Sequence, residues 1–262
     1  MTILDKIIEQ RKQDVSTLQY LNPISKLELS PFFERPVMSA KEYILSSEKS
    51  GIIAEHKRAS PSQGIINDKV NLADVVTGYE NAGASCISIL TEPHFFKGSS
   101  EDILHIRDII SIPILRKEFI VDEYQIIEAK SIGADFILLI AACLTKQEIS
   151  TFTKRAHSLN MEVLCEIHEE KELEKCNSEI DIIGVNNRNL KDFSVDIEHS
   201  IRLLEKIPES FVRISESGIS QPETVKLLKS KGFQGFLMGE NFMKHSNPGE
   251  TCREFISQSQ LL

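Results

Sequence analysis

The sequence lacks tryptophan altogether, and it also lacks any long apolar segment. Among 262 residues there is no Trp, and aromatic residues make up only 6% of the chain. The longest uninterrupted apolar run, residues 136–144, is nine residues long, whereas a membrane-spanning helix needs about 18 or more. Asp5, Lys6, Glu9 and Arg11 interrupt the N-terminus, which excludes the apolar segment of a secretory signal there. We therefore expect a soluble, cytoplasmic protein that has no membrane partner.

Cysteine is scarce and follows no ligand pattern. There are five cysteines, an odd number, and no Cys-x-x-Cys pair is present. Their wide spacing predicts reduced thiols, and it predicts neither a disulfide framework nor a zinc site. The cysteines are Cys86, Cys143, Cys165, Cys176 and Cys252.

Positive charge is also in short supply. Thirty Lys and Arg residues face 39 Asp and Glu residues, which gives a net charge of −9. A broad basic surface for nucleic acid is therefore not expected, although a local cationic pocket is compatible with this balance. Apolar residues make up 41% and charged residues 26% of the chain, values that are typical of a globular protein.

The first part of the chain has a helical pattern of its own. Thr2 and Asp5 form a capping-box signal ahead of apolar residues at helical spacing, and Asn22-Pro23 ends that helix. Ser39, with Glu42 three residues later, begins a second, shorter helix. We interpret residues 1–48 as an N-terminal helical extension that packs on the barrel formed by residues 49–262, within one structural domain.

From residue 51 onwards, strand-like and helical patterns alternate. Eight short apolar segments rich in β-branched residues recur, at residues 52–54, 86–90, 112–115, 136–140, 162–165, 180–185, 211–214 and 235–238. Gly83, Gly133 and Gly232 each stand where a helix ends shortly before a strand begins. Eight such units predict an α/β fold, the (β/α)8 or TIM barrel. A doubly wound open sheet is the alternative, and the absence of Gly-x-Gly-x-x-Gly after the first strand disfavours it.

Charged and amide side chains recur where these strands end, namely Glu55, Lys57, Lys117, Glu166, Asn186, Arg188 and Glu216. Any one of them alone is more typical of a solvated loop. Barrel enzymes, however, hold their chemistry at the carboxyl ends of the strands, and the coincidence on different strands favours an active site there. Lysine beside carboxylate in a shielded mouth indicates proton transfer. We expect His56 and His168 to face away from the barrel axis and to serve in packing.

The last two strands end in segments suited to an anion. Ser217-Gly218 and Gly239-Glu240 each precede a helical segment, the place where barrels commonly bind phosphate through backbone N–H groups. The residues by themselves thus predict a barrel enzyme that acts on a phosphorylated small molecule by acid–base chemistry. No metal and no cofactor is expected.

With these motifs the chain resembles the indole-3-glycerol phosphate synthases of tryptophan biosynthesis. The most specific segment is Ile-Ala-Glu-His-Lys-Arg-Ala-Ser-Pro-Ser at residues 53–62. Others occur in the family's order at residues 88–99, 113–120, 164–168, 183–190, 215–219 and 238–240. The resemblance implies a carboxy-lyase. Such an enzyme converts 1-(2-carboxyphenylamino)-1-deoxyribulose 5-phosphate into indole-3-glycerol phosphate, carbon dioxide and water.

The resemblance also implies four catalytic residues. Lys117 matches the general acid that protonates the substrate carbonyl, and Lys57 matches the lysine that faces the anthranilate carboxylate. Glu166 matches the carboxylate that stabilises positive charge on the substrate nitrogen and assists dehydration. Glu55 matches the carboxylate that orients Lys117 and relays protons.

Further positions match the family's binding residues. Asn186, Arg188 and Glu216 correspond to the ribulose pocket, and Phe95 and Phe96 to the cover of the anthranilate ring. The phosphate side corresponds to Ser60, Ser217, Gly218, Gly239 and Glu240. The resemblance implies a monomer that binds a phosphorylated small molecule and no nucleic acid, with other enzymes of tryptophan synthesis as possible partners.

Two other functions are compatible with such a barrel. One is an aldolase-type enzyme in which Lys117 or Lys57 forms a Schiff base with a ketose phosphate. The other is a non-catalytic protein that binds a phosphosugar. The second would require broken catalytic positions, yet Glu55, Lys57, Lys117 and Glu166 are all present.

Overall fold

The computed structural model describes residues 2–189 and 193–260; Leu190, the last residue of one matching segment, lies outside these ranges. Eight parallel strands close into a barrel in the order β1-β10-β9-β8-β7-β6-β5-β4, and β2 pairs with β3 in a small antiparallel sheet. The strands are β1 (Ile52–His56), β2 (Ala59–Ser60), β3 (Gly64–Ile65), β4 (Cys86–Leu90), β5 (Ile114–Lys117), β6 (Phe136–Ile140), β7 (Glu162–Ile167), β8 (Ile182–Asn186), β9 (Val212–Glu216) and β10 (Gly235–Met238). The predicted barrel is confirmed.

Helices connect the strands and precede the barrel. They are α1 (Ile3–Leu21), α2 (Ile24–Leu27), α3 (Ala40–Leu45), α4 (Leu72–Asn81), α5 (Pro93–Phe96), α6 (Ser100–Ile106), α7 (Glu123–Ser131), α8 (Lys146–Ser158), α9 (Ile197–Leu204), α10 (Pro222–Lys231), α11 (Glu240–Met243) and α12 (Pro248–Gln260), with a 3-10 helix at Glu170–Lys175. Within residues 2–189 and 193–260, none of these helices is both long and apolar enough to cross a membrane.

The local signals behave as predicted. The capping box of α1 is formed, because Thr2 Oγ1 accepts the Asp5 N–H at 3.2 Å while the Thr2 N–H donates to Asp5 Oδ2 at 2.7 Å. Gly133 takes a φ of +90° and Gly232 a φ of +112°. These left-handed conformations carry little cost only for glycine, and they let the chain turn from α7 into β6 and from α10 into β10.

Apolar side chains fill two layers of core. One lies between the strands and the surrounding helices, and it includes Cys165, whose side chain is fully buried. The other fills the barrel interior with Ile53, Leu115 and Leu164, and α3 contributes Ile44 to it. Residues two apart on a strand share a face. The residues two positions after these apolar ones therefore project into the barrel at the carboxyl ends of the strands.

The strands extend further than their apolar segments. β5 continues to Lys117, and β9 continues to Glu216. Both residues still pair with neighbouring strands, Lys117 with Leu90 and Glu216 with Asn186. Backbone hydrogen bonds between strands do not depend on side-chain polarity. A prediction that follows only the apolar segments therefore ends these strands about two residues too early.

The N-terminal segment is attached to the barrel by buried polar contacts. Arg11 of α1 approaches Glu118, just after β5, with Nε 3.2 Å from Oε1. Ser39 donates to Glu162 Oε1 at 2.6 Å, and Arg35 pairs with Asp135. The Arg11 contact places α1 at the end of the barrel at which the polar residues gather, whereas Ser39 and Arg35 hold the later part of the segment at the opposite end, where β7 and β6 begin.

Candidate active site

A cleft opens at the carboxyl ends of the barrel strands. Its floor is apolar and includes Leu138 and Leu237. Ile3, Leu4 and Ile7 of α1 cover one side. The polar lining contains predicted site residues from six barrel strands or the loops after them, namely Glu55, Lys57, Ser60, Lys117, Glu166, Asn186, Arg188, Ser217 and Glu240. The tertiary structure therefore gathers most of the predicted set around one cavity.

Lys117 lies at the centre of this cluster. Its Nζ donates to Glu216 Oε2 at 2.8 Å and to Glu166 Oε2 at 3.3 Å. The side chain of Lys117 is 15% exposed, while those of Glu166 and Glu216 are 5% and 1% exposed. Water screens such buried charges weakly, so each of these groups strongly affects the protonation of the others.

The pKa values of the cluster follow from burial and charge. Burial alone would lower the pKa of Lys117, but the carboxylates of Glu216, Glu166 and Glu55 outweigh it and raise that pKa. Burial would raise the pKa of Glu166, yet Lys117, His168 and the Asn186 amide together lower it. For Glu216, burial prevails over Lys117 and raises the pKa to about 7. The cluster thus holds a charged lysine, an ionised glutamate and a glutamate that titrates near neutral pH.

Glu55 and Lys57 form a second pair on the adjacent side of the cleft. Lys57 Nζ lies 2.9 Å from Glu55 Oε1, as the shared strand face predicts. Glu55 Oε2 accepts from Ser88 Oγ at 3.4 Å. A Cβ added to Gly239 would come within 2.8 Å of Glu55. A residue without a side chain at Gly239 therefore leaves room for the Glu55 carboxylate.

Asn186 and Arg188 continue the polar wall. Asn186 Nδ2 donates to Glu166 Oε1 at 3.0 Å, and Asn186 Oδ1 accepts the Arg188 N–H at 2.9 Å. The Arg188 guanidinium lies 3.1 Å from Glu240 Oε2. Asn186 thus fixes Glu166 and the backbone of Arg188 at once, and it leaves the Arg188 side chain at the edge of the cleft.

A second cleft adjoins the first beside the ends of β9 and β10. Ser217, Gly218, Gly239 and Glu240 line it, and Lys57, Arg188 and Lys244 line it as well. Ser217 has a φ of +67° and Gly218 a φ of +71°. At Ser217 and Gly218 the backbone turns away from the direction of β9, and positive side chains lie beside this turn. Both features suit a phosphate group.

Asn187 is a structural residue of this region that the sequence interpretation missed. Its Nδ2 donates to the backbone oxygens of Glu216 at 2.9 Å and Ser217 at 3.0 Å, and Ser200 donates to its Oδ1. Asn187 is 3% exposed. It follows Asn186 directly and shows no separate motif, so only the three-dimensional contacts reveal that it fixes the turn at Ser217.

The two adjacent phenylalanines after β4 are placed differently. Phe96 lines the main cleft and packs against Phe119, with ring centroids 5.7 Å apart. Phe95 is half-buried and its N–H donates to Glu92 Oε2 at 2.7 Å. Phe119 also lines the cleft, so an aromatic wall is present, made from the loops after β4 and β5.

His168 does not lie where we expected it. Its Nε2 is 3.4 Å from Glu166 Oε1, so the expectation that it faces away from the site is wrong. Glu166 and His168 are two residues apart, and the alternation of β7, continued one residue past its end at Ile167, puts both on one face. His56 is 2% exposed and lies between Glu55 and Lys57 along the chain, in agreement with a packing role.

The described residues offer proton donors and acceptors at the cleft, with aromatic and apolar surface beside them. Within residues 2–189 and 193–260, no group of three or more His, Cys, Asp or Glu side chains is arranged to hold a metal ion. Their five cysteines are free thiols. Lysine and glutamate side chains in contact can transfer protons to and from a substrate held between them.

Comparison with known proteins matches nearly the whole chain to a single family. A family model described as indole-3-glycerol phosphate synthase matches residues 4–255. A protein of that name from Bacteroides thetaiotaomicron is 46% identical over 258 residues, covering 98% of this chain and 99% of the relative. One from Campylobacter jejuni is 42% identical, covering 97% of this chain and all of the relative. One from Acinetobacter baumannii is 40% identical, covering 99% and 97%.

Solved structures resemble the chain in fold. A tryptophan synthase alpha-subunit from Pyrococcus furiosus superposes with a TM-score of 0.62 at 14% sequence identity, covering 82% of this chain and 99% of that one. A structure described as KGPDC from Streptococcus mutans gives a TM-score of 0.61 at 14% identity, covering 80% and 96%. At this identity the likeness concerns the barrel alone.

Proposed function

The chain belongs to the indole-3-glycerol phosphate synthase family, and we propose on that premise that the cluster around Lys117 performs the proton transfers of the reaction. The substrate is 1-(2-carboxyphenylamino)-1-deoxyribulose 5-phosphate, which closes to an indole with loss of carbon dioxide and water. The observation that carries the proposal is the position of Lys117 at the mouth of the barrel, with its Nζ between Glu216 and Glu166.

Lys117 acts as the general acid. As the aromatic carbon attacks the ribulose carbonyl, negative charge develops on the carbonyl oxygen, and a proton from Nζ neutralises it. The three carboxylates that raise the pKa of Lys117 keep its amine protonated before substrate binds. Glu216, whose pKa is about 7, lies within hydrogen-bond distance and can return a proton to the neutral amine afterwards.

Glu166 acts on the substrate nitrogen. Ring closure leaves positive charge on that nitrogen, and loss of carbon dioxide returns an electron pair that neutralises it and restores the aromatic ring. The new hydroxyl group, once protonated, then leaves as water while positive charge develops on the nitrogen again, and the proton that is lost comes from the neighbouring CH2 carbon. An ionised carboxylate stabilises this charge and accepts that proton. The lowered pKa of Glu166 supports this role, because the group is then ionised at neutral pH. Glu55 orients the lysines and relays protons, and Lys57 faces the anthranilate carboxylate. The 2.9 Å pair of Glu55 and Lys57 supports this assignment.

The remaining residues bind and fold the substrate. The phosphate occupies the cleft beside Ser217, Gly218, Gly239 and Glu240, with Ser60 nearby. Asn186, Arg188 and Glu216 hold the ribulose chain, while Phe95 and Phe96 cover the ring. Binding both anionic ends of a flexible substrate brings its reacting carbons together, which lowers the entropic part of the barrier.

The N-terminal extension, residues 1–48, completes the site in this proposal. Ile3, Leu4 and Ile7 line the cleft, so the extension supplies an apolar wall against the anthranilate ring. Barrel and extension then act as one unit. We also propose a cytoplasmic monomer, which light scattering at the calculated chain mass of 29.6 kDa would test.

The decisive experiment replaces the proposed acid. We expect Lys117→Ala to lower kcat by about 10²- to 10⁴-fold, because positioned proton donors contribute rate factors of that order. Substrate affinity should change little. Turnover is followed by the appearance of indole fluorescence, and affinity by equilibrium titration with the unreacted substrate. Lys146→Ala, an exposed lysine on α8, is the matched control and should behave as wild type.

Two outcomes would redirect the proposal. A wild-type kcat in Lys117→Ala would move the acid role to Lys57. A covalent adduct on either lysine after borohydride treatment with substrate would favour the Schiff-base alternative. The geometry argues against an adduct on Lys117, because a lysine held by two carboxylates remains protonated and is then a poor nucleophile.

A further inference from the structure

His168 occupies a place next to the proposed active site that no role above explains. It follows β7 directly and its side chain is 11% exposed. Nε2 lies 3.4 Å from Glu166 Oε1, and Nδ1 lies 3.9 Å from Glu172 Oε2. Within the part of the chain that the structure describes, neither ring nitrogen has a hydrogen-bond partner. Buried polar atoms are rarely left unpaired without a reason, so this imidazole requires an explanation.

We propose that His168 is a positioning residue for Glu166, which it holds from the side opposite Lys117. The inference rests on the catalytic role of Glu166 proposed above. Glu166 has two oxygens with separate duties, since Oε2 accepts from Lys117 while Oε1 accepts from Asn186 and faces His168. Nε2 lies 3.4 Å from Oε1, and a small turn of the ring lets it donate to that oxygen. This hydrogen bond fixes the rotation of the carboxylate and thereby aims Oε2 at the reacting atoms.

The backbone of His168 is held in place by hydrogen bonds. Glu172 Oε2 accepts the His168 N–H at 2.6 Å and the Glu169 N–H at 3.3 Å, and Glu172 is 5% exposed. His199 of α9 lies with Nε2 2.5 Å from the His168 carbonyl oxygen. The backbone of His168 is thus fixed by two elements, which holds in place the point from which its ring reaches Glu166.

The charges around His168 come from several elements. Glu166 and Glu172 flank the ring on either side. The cleft beside the ring is also lined by charged or titratable groups of α1 and of the loops after β7 and β8, namely Asp5, Glu169, Lys171, Arg188, Asp196 and His199. The positive potential of His168 helps to lower the pKa of Glu166, so its removal must move that pKa upwards.

The test compares two substitutions that separate shape from hydrogen bonding. His168→Leu removes both ring nitrogens, whereas His168→Gln keeps an N–H donor near the place of Nε2. We expect His168→Leu to lower kcat about tenfold with little change in KM. We also expect the acid limb of its pH–kcat profile to move to higher pH, because a Glu166 with a higher pKa is protonated sooner as pH falls. His168→Gln should recover most of kcat at neutral pH.

The control is a histidine that pairs with a carboxylate away from the cleft. His157 lies 2.8 Å from Asp181 and is 37% exposed, so His157→Leu should leave kcat and the pH profile unchanged. Should His168→Leu not fold, His168→Asn replaces it, since asparagine is too short to reach Glu166. An Asn variant with a kcat equal to that of Gln would overturn the proposal, as would a His168→Leu enzyme with the wild-type pH profile.

Glu166→Gln, measured alongside, separates this inference from the proposed function. A large loss of kcat in Glu166→Gln together with wild-type behaviour of both His168 variants would reject the role of His168 and leave the proposed function intact. Wild-type turnover in Glu166→Gln would instead reject the catalytic role of Glu166, and the role of His168 would fall with it.

Discussion

At the scale of single residues, burial moves the pKa values of a glutamate and a histidine in opposite directions, because it disfavours the charged form of each. Burial raises the pKa of Glu216 to about 7, because the ionised form loses its hydration. Burial, followed by the nearby charge of Arg58, lowers the pKa of His56 to about 4. Both side chains are almost fully buried. Glu216 faces the cleft and can use its proton in the reaction, whereas His56 lies outside the site and affects stability instead.

The free energy of unfolding should fall in acid in a way that depends on His56. Its pKa is about 4 in the folded chain and 6.5 when unperturbed. The unfolded chain therefore binds more protons between these values, and stability present above pH 6.5 is lost as the pH falls towards 4. We expect a loss of about 2 kcal/mol between pH 7.5 and pH 5 from this residue. Urea unfolding at both pH values measures it.

His56→Gln, which cannot be protonated, should lose less stability than wild type over the same interval. His105→Gln is the control, because His105 is exposed at the surface of α6, and it should show the wild-type pH dependence. Equal losses in wild type and His56→Gln would contradict the assignment.

At the scale of elements, close approach between strands decides how the carboxylates fit into the barrel mouth. Gly184 in β8 has no side chain, and Glu216 of β9 occupies the space in front of it. A Cβ on Gly184 would overlap Glu216 Oε1 and come within 3.1 Å of Leu164 Cδ1. Glycine inside a strand is normally unfavourable, and here it makes room for a functional side chain.

Gly184→Ala should therefore impair catalysis through Glu216. We expect kcat to fall about as far as it does in Glu216→Ala, because the displaced carboxylate no longer reaches Lys117. In a double-mutant cycle, Gly184→Ala should add little further loss once Glu216 is already Ala. Steady-state kinetics of the four proteins measures the cycle. Additive losses would show that Gly184 acts by another route, and Ile183→Val on the other face of β8 is the control.

Helix α1 is joined to the loop after β5 by a buried ion pair. Arg11 and Glu118 have side chains 4% and 0% exposed, with Nε 3.2 Å from Oε1. Removing Arg11 leaves the buried Glu118 carboxylate with the more distant Arg116, 3.9 Å away, as its remaining ion-pair partner. Arg11→Ala should therefore lower the free energy of unfolding by about 3 kcal/mol. Chemical denaturation measures the change.

An exposed pair provides the comparison for Arg11. Arg202 and Asp196 are 64% and 55% exposed at 2.8 Å, and Arg202→Ala should leave the unfolding midpoint unchanged, because water screens that pair. If both substitutions cost the same, the burial of the Arg11–Glu118 pair is not what stabilises α1 on the barrel.

At the scale of the whole molecule, positive side chains lie at the barrel mouth although the net charge of the chain is negative. The chain carries a net charge of −9, yet its proposed substrate carries a phosphate and a carboxylate. The fold lessens this conflict locally, because one cleft at the barrel mouth is lined by three positive side chains, Lys57, Arg188 and Lys244, against the two carboxylates of Glu55 and Glu240. The local charge balance is therefore opposite in sign to that of the whole chain, which favours an anion there.

The proposed mechanism uses proton transfers between the substrate and the protein's own side chains. Protein dialysed against a chelator and assayed in its presence should therefore turn over substrate at the untreated rate. The absence of Trp from the chain lowers the background fluorescence, so indole formation can be followed directly. A loss of activity that added divalent cation restores would contradict the proposed mechanism.

Much of this protein is determined by local sequence alone. Hydrophobic periodicity, helix caps and glycine C-caps act over a few residues, so the eight strands and the order of helices could be predicted. Parallel strands align their carboxyl ends, which is why Glu55, Lys117 and Glu166 could be expected together before any distance was known. The family motifs added the reaction to this framework.

Other properties were decided only by tertiary structure, because they depend on atoms distant in sequence. Lys117 is 49 and 99 positions from the glutamates that hold it, and no local pattern states which oxygens meet. The expectation that His168 faces away from the site was wrong although alternation puts it on the face of Glu166, and its 3.4 Å contact with Glu166, one residue beyond the end of β7, appears only in the tertiary structure. The cover that α1 forms over the cleft depends on the buried pairing of Arg11 with Glu118, 107 positions away. Burial and long-range contact set these charges, and both arise only when the barrel closes.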